Sequence, residues 1–107
     1  MKLLAGVERL ALPVIVVGEY RLGIAHARNA RDYHRWLERL ITSSSVLDIT
    51  DETTHHYASI RIQLRQIEKP IPVHDVWIAA LGRQLDLPIL SRDQHFDVVP
   101  GIQRLNW

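Results

Sequence analysis

Short apolar runs alternate with stretches of helical spacing along this chain, and that alternation limits the folds open to it. Residues 14–17, Val-Ile-Val-Val, are continuously apolar and predict a strand that is buried on both faces. Further strands are predicted at residues 46–49, 87–90 and 102–107. Strands that alternate with helices are typical of a layered α/β fold with a mainly parallel sheet.

Apolar residues at helical spacing predict the helices between these strands. Residues 2–12 fit a short helix, and residues 31–42 fit an amphipathic one. Thr50 or Asp51 can cap the next helix. The last helix, residues 75–85, is apolar almost all round, which is typical of a buried helix.

The composition is that of a small globular protein. With 107 residues, the chain is interpreted as a single domain over residues 1–107. Hydrophobic residues make up 47% and charged residues 23%, a globular balance. The absence of cysteine excludes disulfides, thiolate metal sites and cysteine nucleophiles, and it fits a cytoplasmic location. No apolar stretch has the length of a membrane span. A net charge of +1 does not by itself indicate nucleic-acid binding.

Three acidic residues stand where apolar segments give way to turns or helix starts. Glu19 follows the predicted strand at residues 14–17, Asp75 begins the apolar helix, and Asp93 follows the predicted strand at residues 87–90. An acid beside a buried apolar element must be paired or bind a cation, and the carboxyl ends of parallel strands share one edge of a sheet. The pattern therefore favours a shared Mg²⁺ or Mn²⁺ and metal-dependent phosphodiester cleavage.

Each acid also has an ordinary structural explanation. Glu19 and Asp75 could each be an acid near a helix N-terminus, where the helix dipole favours negative charge. Asp93 follows Arg92, which offers an ion pair. Asp97 is interpreted as a loop acid rather than a peripheral ligand. These alternatives stay open on the sequence alone.

Other candidate residues have weaker patterns. His74 and His95 flank the acids and could contact phosphate or metal, although a surface role is favoured for both. Tyr33 and Trp36 could line a groove for a partner helix or a second copy, with core packing as the favoured explanation. The chain has neither the G-x-S-x-G elbow of a serine hydrolase nor a phosphate-binding glycine loop.

Around Glu19, Asp75 and Asp93 the chain resembles the PIN-domain nucleases, and among them the VapC-type toxins of bacterial toxin–antitoxin pairs. The resemblance lies in the segments VIVVGEYRLGIAHA, IPVHDVWIAAL and LPILSRDQHFDVVPGIQRLNW. It implies a PIN-like three-layer α/β/α fold and an endoribonuclease that depends on Mg²⁺ or Mn²⁺. It also implies that Glu19, Asp75 and Asp93 are catalytic residues and metal ligands, with Ser91 and Asp97 as possible accessories. A cognate antitoxin, an RNA substrate, a homodimer and a cytoplasmic location are expected on the same ground.

The resemblance breaks down at the start of the chain. The family's first apolar strand ends in Asp-Thr-Asn or Asp-Thr-Ser, supplies the first metal ligand and lies at the centre of the sheet, and nothing here matches it. An empty central position would leave buried backbone groups unpaired, so compensation by another segment or a partner is expected. A misassigned start, a truncated relic and a compensated fold would each explain the difference.

That departure keeps other functions open. The second hypothesis is a catalytically impaired PIN remnant that only binds an antitoxin or a sister toxin. A small Rossmann-like nucleotide-binding protein is a third hypothesis, disfavoured by the missing glycine loop.

Overall fold

A mixed β-sheet organises the chain. The structure, a computed structural model, describes residues 3–5 and 10–106. Within those residues, five strands form one sheet in the order β3-β2-β1-β4-β5. The strands are β1 (Leu3–Ala5), β2 (Leu10–Pro13), β3 (Ser45–Leu47), β4 (Ile89–Leu90) and β5 (Arg104–Leu105). The helices are α1 (Val14–Ala25), α2 (Ala30–Ser43), α3 (Asp51–Gln66) and α4 (Val73–Leu85), followed by a 3₁₀-helix at Gln94–Val98.

Four of the strands point the same way. β2 is parallel to β3, and β4 is parallel to β5. β1 is antiparallel to both β2 and β4, so those two strands run in the same direction. The carboxyl ends of β2, β3, β4 and β5 therefore meet at one edge of the sheet, where α/β proteins place their sites. The predicted α/β class is confirmed, with the difference that β1 makes the sheet mixed rather than mainly parallel.

The centre of the sheet is filled by the segment at residues 3–5. Leu4 lies opposite Ala11 of β2 on one side and opposite Ile89 of β4 on the other. The compensation expected for the unmatched family strand thus takes the form of an antiparallel strand from the same chain. The helix predicted at residues 2–12 is wrong wherever the segment is described, because residues 3–5 and 10–13 are strands.

The strand predicted at residues 14–17 is also wrong, because these residues form the first turns of α1. Pro13 is the N-cap, with a φ of −58°, and Pro suits the start of a helix. Val16 and Val17 are buried whereas Val14 is 37% exposed, so the run is not buried throughout, as a central strand would be. A β-branched residue loses only about 0.5 kcal/mol in a helix. Full burial of a valine side chain contributes about 1.5–3 kcal/mol, so burial decides the conformation.

The remaining elements lie close to their predicted positions. α2 and α3 match the predicted helices, with Thr50 as the N-cap of α3. α4 begins two residues before Asp75. The strand predicted at residues 102–107 is shortened to β5, and Trp107 lies outside the described residues. In the described part of the chain, no helix is both long and apolar enough to cross a membrane.

The hydrophobic core joins the sheet to α1, α3 and α4. α3 packs along α4, where the Tyr57 and Trp77 rings stack with centroids 3.9 Å apart. The buried Thr53 hydroxyl donates to Gln84 Oε1 at 2.6 Å, so this buried hydroxyl is satisfied. α4 is thereby held rigidly, and its first turn contains Asp75. The largest fully buried apolar side chains are Phe96, Leu12, Leu37, Ile60, Ile78, Leu81, Ile89 and Val76.

Candidate metal centre

Asp75 is a buried acid in the first turn of α4. Its side chain is 0% exposed, and among the described residues it is the one ionisable side chain that is fully buried. The helix starts at Pro72, whose carbonyl oxygen accepts the N–H groups of Asp75 and Val76 at 3.0 and 3.1 Å. The positive end of the helix dipole favours a carboxylate here. A buried charge requires compensation by a partner or a cation.

Asp93 lies in the loop after β4, which is held in place by hydrogen bonds of Ser91. The Ser91 hydroxyl accepts the backbone N–H of Asp93 at 3.0 Å, which closes a tight turn. The Ser91 N–H donates to the Leu105 carbonyl at 3.0 Å, and the Ser91 carbonyl accepts from Arg104 Nη1 at 3.1 Å. Ser91 thus acts on the backbone of this loop, and Asp93 is presented at the carboxyl edge of the sheet.

His95 completes a group of three possible ligands. One ligand atom from each of Asp75, Asp93 and His95 can be chosen so that all three lie within 4.8 Å of one another. His95 Nε2 is 2.7 Å from Asp75 Oδ2, although this approach does not have hydrogen-bond geometry. The His95 side chain is 34% exposed, as a partly surface position would be, but its Nε2 is buried and faces Asp75. The only sequence signal was its position two residues after Asp93.

Glu19 stands outside this group of three. It lies in the second turn of α1 rather than at the end of a strand. Its Oε1 is 3.8 Å from Nε2 of His74, the residue before Asp75, and both side chains are about half exposed. Burial raises the pKa of the neighbouring Tyr20, and the negative charge of Glu19 adds to that rise. The structure thus places Glu19 beside the start of α4, in contact with the residue that precedes Asp75.

Asp97 makes a two-point ion pair with Arg104. Arg104 Nε and Nη2 donate to the two carboxylate oxygens of Asp97 at 2.8 and 3.1 Å. The hydrogen bond from Arg104 lowers the pKa of Asp97 below its ordinary value of 3.8. Both oxygens are engaged by the guanidinium, as expected for a loop acid. Arg104 in turn reaches the Ser91 carbonyl, so this pair braces the loop that holds Asp93.

The donor set and its spacing fit a divalent cation. Two carboxylates and an imidazole are common ligands of such ions. An octahedral ion with bonds of about 2.1 Å places neighbouring ligands about 3 Å apart and opposite ligands about 4.2 Å apart. The contact of 2.7 Å and the upper bound of 4.8 Å bracket these values.

A second feature is an apolar groove between α1 and α2. Its volume is about 580 Å³. The rings of Tyr20 and Trp36 meet edge to face at 5.3 Å within it, and Tyr33 is 49% exposed. The core packing favoured for Tyr33 is therefore wrong, because its ring lies at the surface of the groove. The lining residues are Glu19, Tyr20, Gly23, Ile24, Ala27, Asp32, Tyr33 and Trp36.

Comparison with known proteins identifies the family. Ribonuclease VapC5 of Mycobacterium tuberculosis is 29% identical over 99 residues, which cover 88% of this chain and 71% of that protein. Ribonuclease VapC4 of the same organism is 27% identical over 92 residues, covering 84% of this chain and 71% of that protein.

Solved structures have the same fold. VapBC-1 from nontypeable Haemophilus influenzae aligns with a TM-score of 0.86 at 23% identity, over 96% of this chain and 78% of that one. FitAcB from Neisseria gonorrhoeae aligns with a TM-score of 0.78 at 27% identity, over 90% of this chain and 73% of that one. The family model of the PIN domain matches residues 1–102. The chain therefore belongs to the PIN-domain family.

Proposed function

We propose that this PIN-domain protein is a metal-dependent endoribonuclease and the toxin of a toxin–antitoxin pair. The observation that supports it most is the convergence of Asp75, Asp93 and His95 within 4.8 Å of one another. Two relatives bear the name ribonuclease VapC. A buried carboxylate at the carboxyl edge of an α/β sheet suits a site that gathers a cation and a phosphate.

Asp75 and Asp93 would hold the Mg²⁺ or Mn²⁺, and Glu19 would act from α1. When bound, the cation supplies Lewis-acid stabilisation of the phosphate and a lowered pKa for a water molecule. Asp75 closes the inner side of the site against bulk water because it is fully buried. Ser91 and Arg104 fix the direction of Asp93 through its loop. Glu19, which is more exposed, would orient the water that attacks phosphorus as the ribose oxygen leaves.

The proposal is tested by RNA cleavage in the presence and absence of metal. With purified protein and a mixed RNA substrate, we expect cleavage with Mn²⁺, loss of cleavage with EDTA, and recovery when Mn²⁺ is added in excess. The catalytically impaired remnant predicts a different result: no cleavage and no heat on calorimetric titration with millimolar Mn²⁺, together with retained antitoxin binding. Cleavage that persists in EDTA would contradict metal dependence.

We further propose that the groove between α1 and α2 receives a segment of the cognate antitoxin. Solved relatives are VapBC complexes of toxin–antitoxin systems. The Tyr20 and Trp36 rings in the groove suit the apolar side of an inserted helix. The carboxylates of Glu19 and Asp32 favour basic residues on that helix. A homodimer and a cytoplasmic location are also part of this proposal, and sedimentation analysis checks the first of them.

Changing Tyr33 to glutamate should weaken antitoxin binding by about tenfold or more, because it places a charge where a buried aromatic contact would form. The measurement is a binding titration with the antitoxin. Ile62→Glu is the matched control, because Ile62 is similarly exposed, at 55%, but lies on α3 away from the groove lining. Equal weakening by both variants would contradict the assignment of the groove.

A further inference from the structure

We propose that His95 is a direct nitrogen ligand of the cation and that it gives this centre a preference for Mn²⁺ over Mg²⁺. The inference rests on the metal site of the proposed function and adds a residue and a selectivity to it.

The 3₁₀-helix fixes the position of His95. It begins directly after Asp93, and the N–H of Phe96 donates to the Asp93 carbonyl at 3.4 Å. Phe96 is 0% exposed and packs into the core, so it anchors the helix. The His95 ring centroid is 5.0 Å from that of Phe96. The Phe96 anchor positions the backbone of His95, and the imidazole faces Asp75 with its Nε2 buried.

The Nε2 atom of His95 and the Oδ2 atom of Asp75 are close enough to be neighbouring ligands of one cation. These two atoms are 2.7 Å apart, yet the approach does not have the geometry of a hydrogen bond. Two neighbouring ligands of an octahedral ion would be about 3 Å apart with their lone pairs aimed at a common point. The observed separation of 2.7 Å is close to that value, and Asp93 would supply the third ligand.

A nitrogen ligand changes which cation is preferred. Mg²⁺ is a hard ion that takes oxygen ligands and keeps several waters. Imidazole binds first-row transition ions well, and affinity for such sites rises from Mn²⁺ towards Cu²⁺. A centre of two carboxylates and one imidazole should therefore hold Mn²⁺ more tightly than Mg²⁺. The selectivity should depend on His95 itself.

The experiment compares the wild-type chain with His95→Gln, which puts an amide oxygen near the place of Nε2. We expect pulsed electron paramagnetic resonance of Mn²⁺-loaded wild type to show ¹⁴N modulation from a coordinated imidazole, absent from the variant. By calorimetry, we expect the variant to lose about tenfold or more in Mn²⁺ affinity while Mg²⁺ affinity changes much less. Circular dichroism confirms that the variant is folded.

His55→Gln is the matched control, because His55 is exposed on α3 and outside the ligand group. It should retain the ¹⁴N modulation and the wild-type ratio of affinities. Absence of ¹⁴N modulation from the wild type, or an equal loss of Mn²⁺ and Mg²⁺ affinity in His95→Gln, would overturn the inference and assign His95 the positioning of Asp75. Both readouts are independent of RNA, so a protein that binds Mn²⁺ through His95 without cleaving RNA would refute only the nuclease proposal.

Discussion

Asp75→Asn should lower metal-dependent RNA cleavage by roughly 100-fold or more, since a bound metal contributes several kcal/mol and each 1.36 kcal/mol is tenfold in rate. Asn keeps the shape of the side chain but replaces the charge, and its amide hydrogens could face the cation. Asp75 is fully buried in α4, so solvent cannot replace the lost ligand. Calorimetry should show a parallel loss of Mn²⁺ binding.

The same substitution should leave the fold intact, because a neutral amide costs less to bury than a carboxylate. The free energy of unfolding without metal should therefore not fall steeply. Asp51→Asn is the control, since Asp51 is an exposed acid in the first turn of α3, and its activity should match that of the wild type. Cleavage by Asp75→Asn at the wild-type rate would remove Asp75 from the reaction.

Phe96→Ala should destabilise the protein by about 3–5 kcal/mol, the usual cost of removing a buried phenyl ring and leaving a cavity. Small domains have a total stability of about 5–15 kcal/mol, so the variant would be near the limit of folding. Phe96 is 0% exposed within the 3₁₀-helix that follows Asp93. Urea unfolding followed by circular dichroism gives the difference.

Two controls test whether the loss of stability comes from the burial of the Phe96 ring. Phe96→Leu keeps much of the apolar volume and should cost distinctly less than alanine. Leu22→Ala removes a side chain that is 66% exposed and should change stability by no more than about 0.5 kcal/mol. Similar losses from Phe96→Ala and Leu22→Ala would contradict the assigned role of Phe96 as an anchor.

The fold class was predictable because alternation of element types survives local errors. The helix around residues 75–85 was clear, since a long apolar stretch with helical stripes fits no strand. The strand wrongly predicted at residues 14–17 has a physical cause. Four consecutive apolar residues have no period, so only their burial in the fold shows which of them face solvent. Pro13 could equally have preceded a strand or begun a helix.

The candidate site was predictable in part. Asp75 and Asp93 were singled out because acids beside apolar elements need compensation, and the structure brings these two together. His95 was named as a possible contact to phosphate or metal, with a surface role favoured. Periodicity could not show that its Nε2 lies 2.7 Å from Asp75, because that depends on how Phe96 anchors the 3₁₀-helix. Glu19 was expected at a strand end, and its place within α1 puts it beside His74 instead.

The antiparallel strand β1 lies between the strand that precedes Glu19 and the strand that precedes Asp93. β2 leads into the helix of Glu19, and β4 leads into the loop of Asp93, so β1 alone separates the two. Two steps between strands amount to about 9.5 Å. In the described part of the sheet, the parallel pairs β2–β3 and β4–β5 are joined only through the three residues of β1. A change in the position of β1 would therefore alter the distance between Glu19 and Asp93.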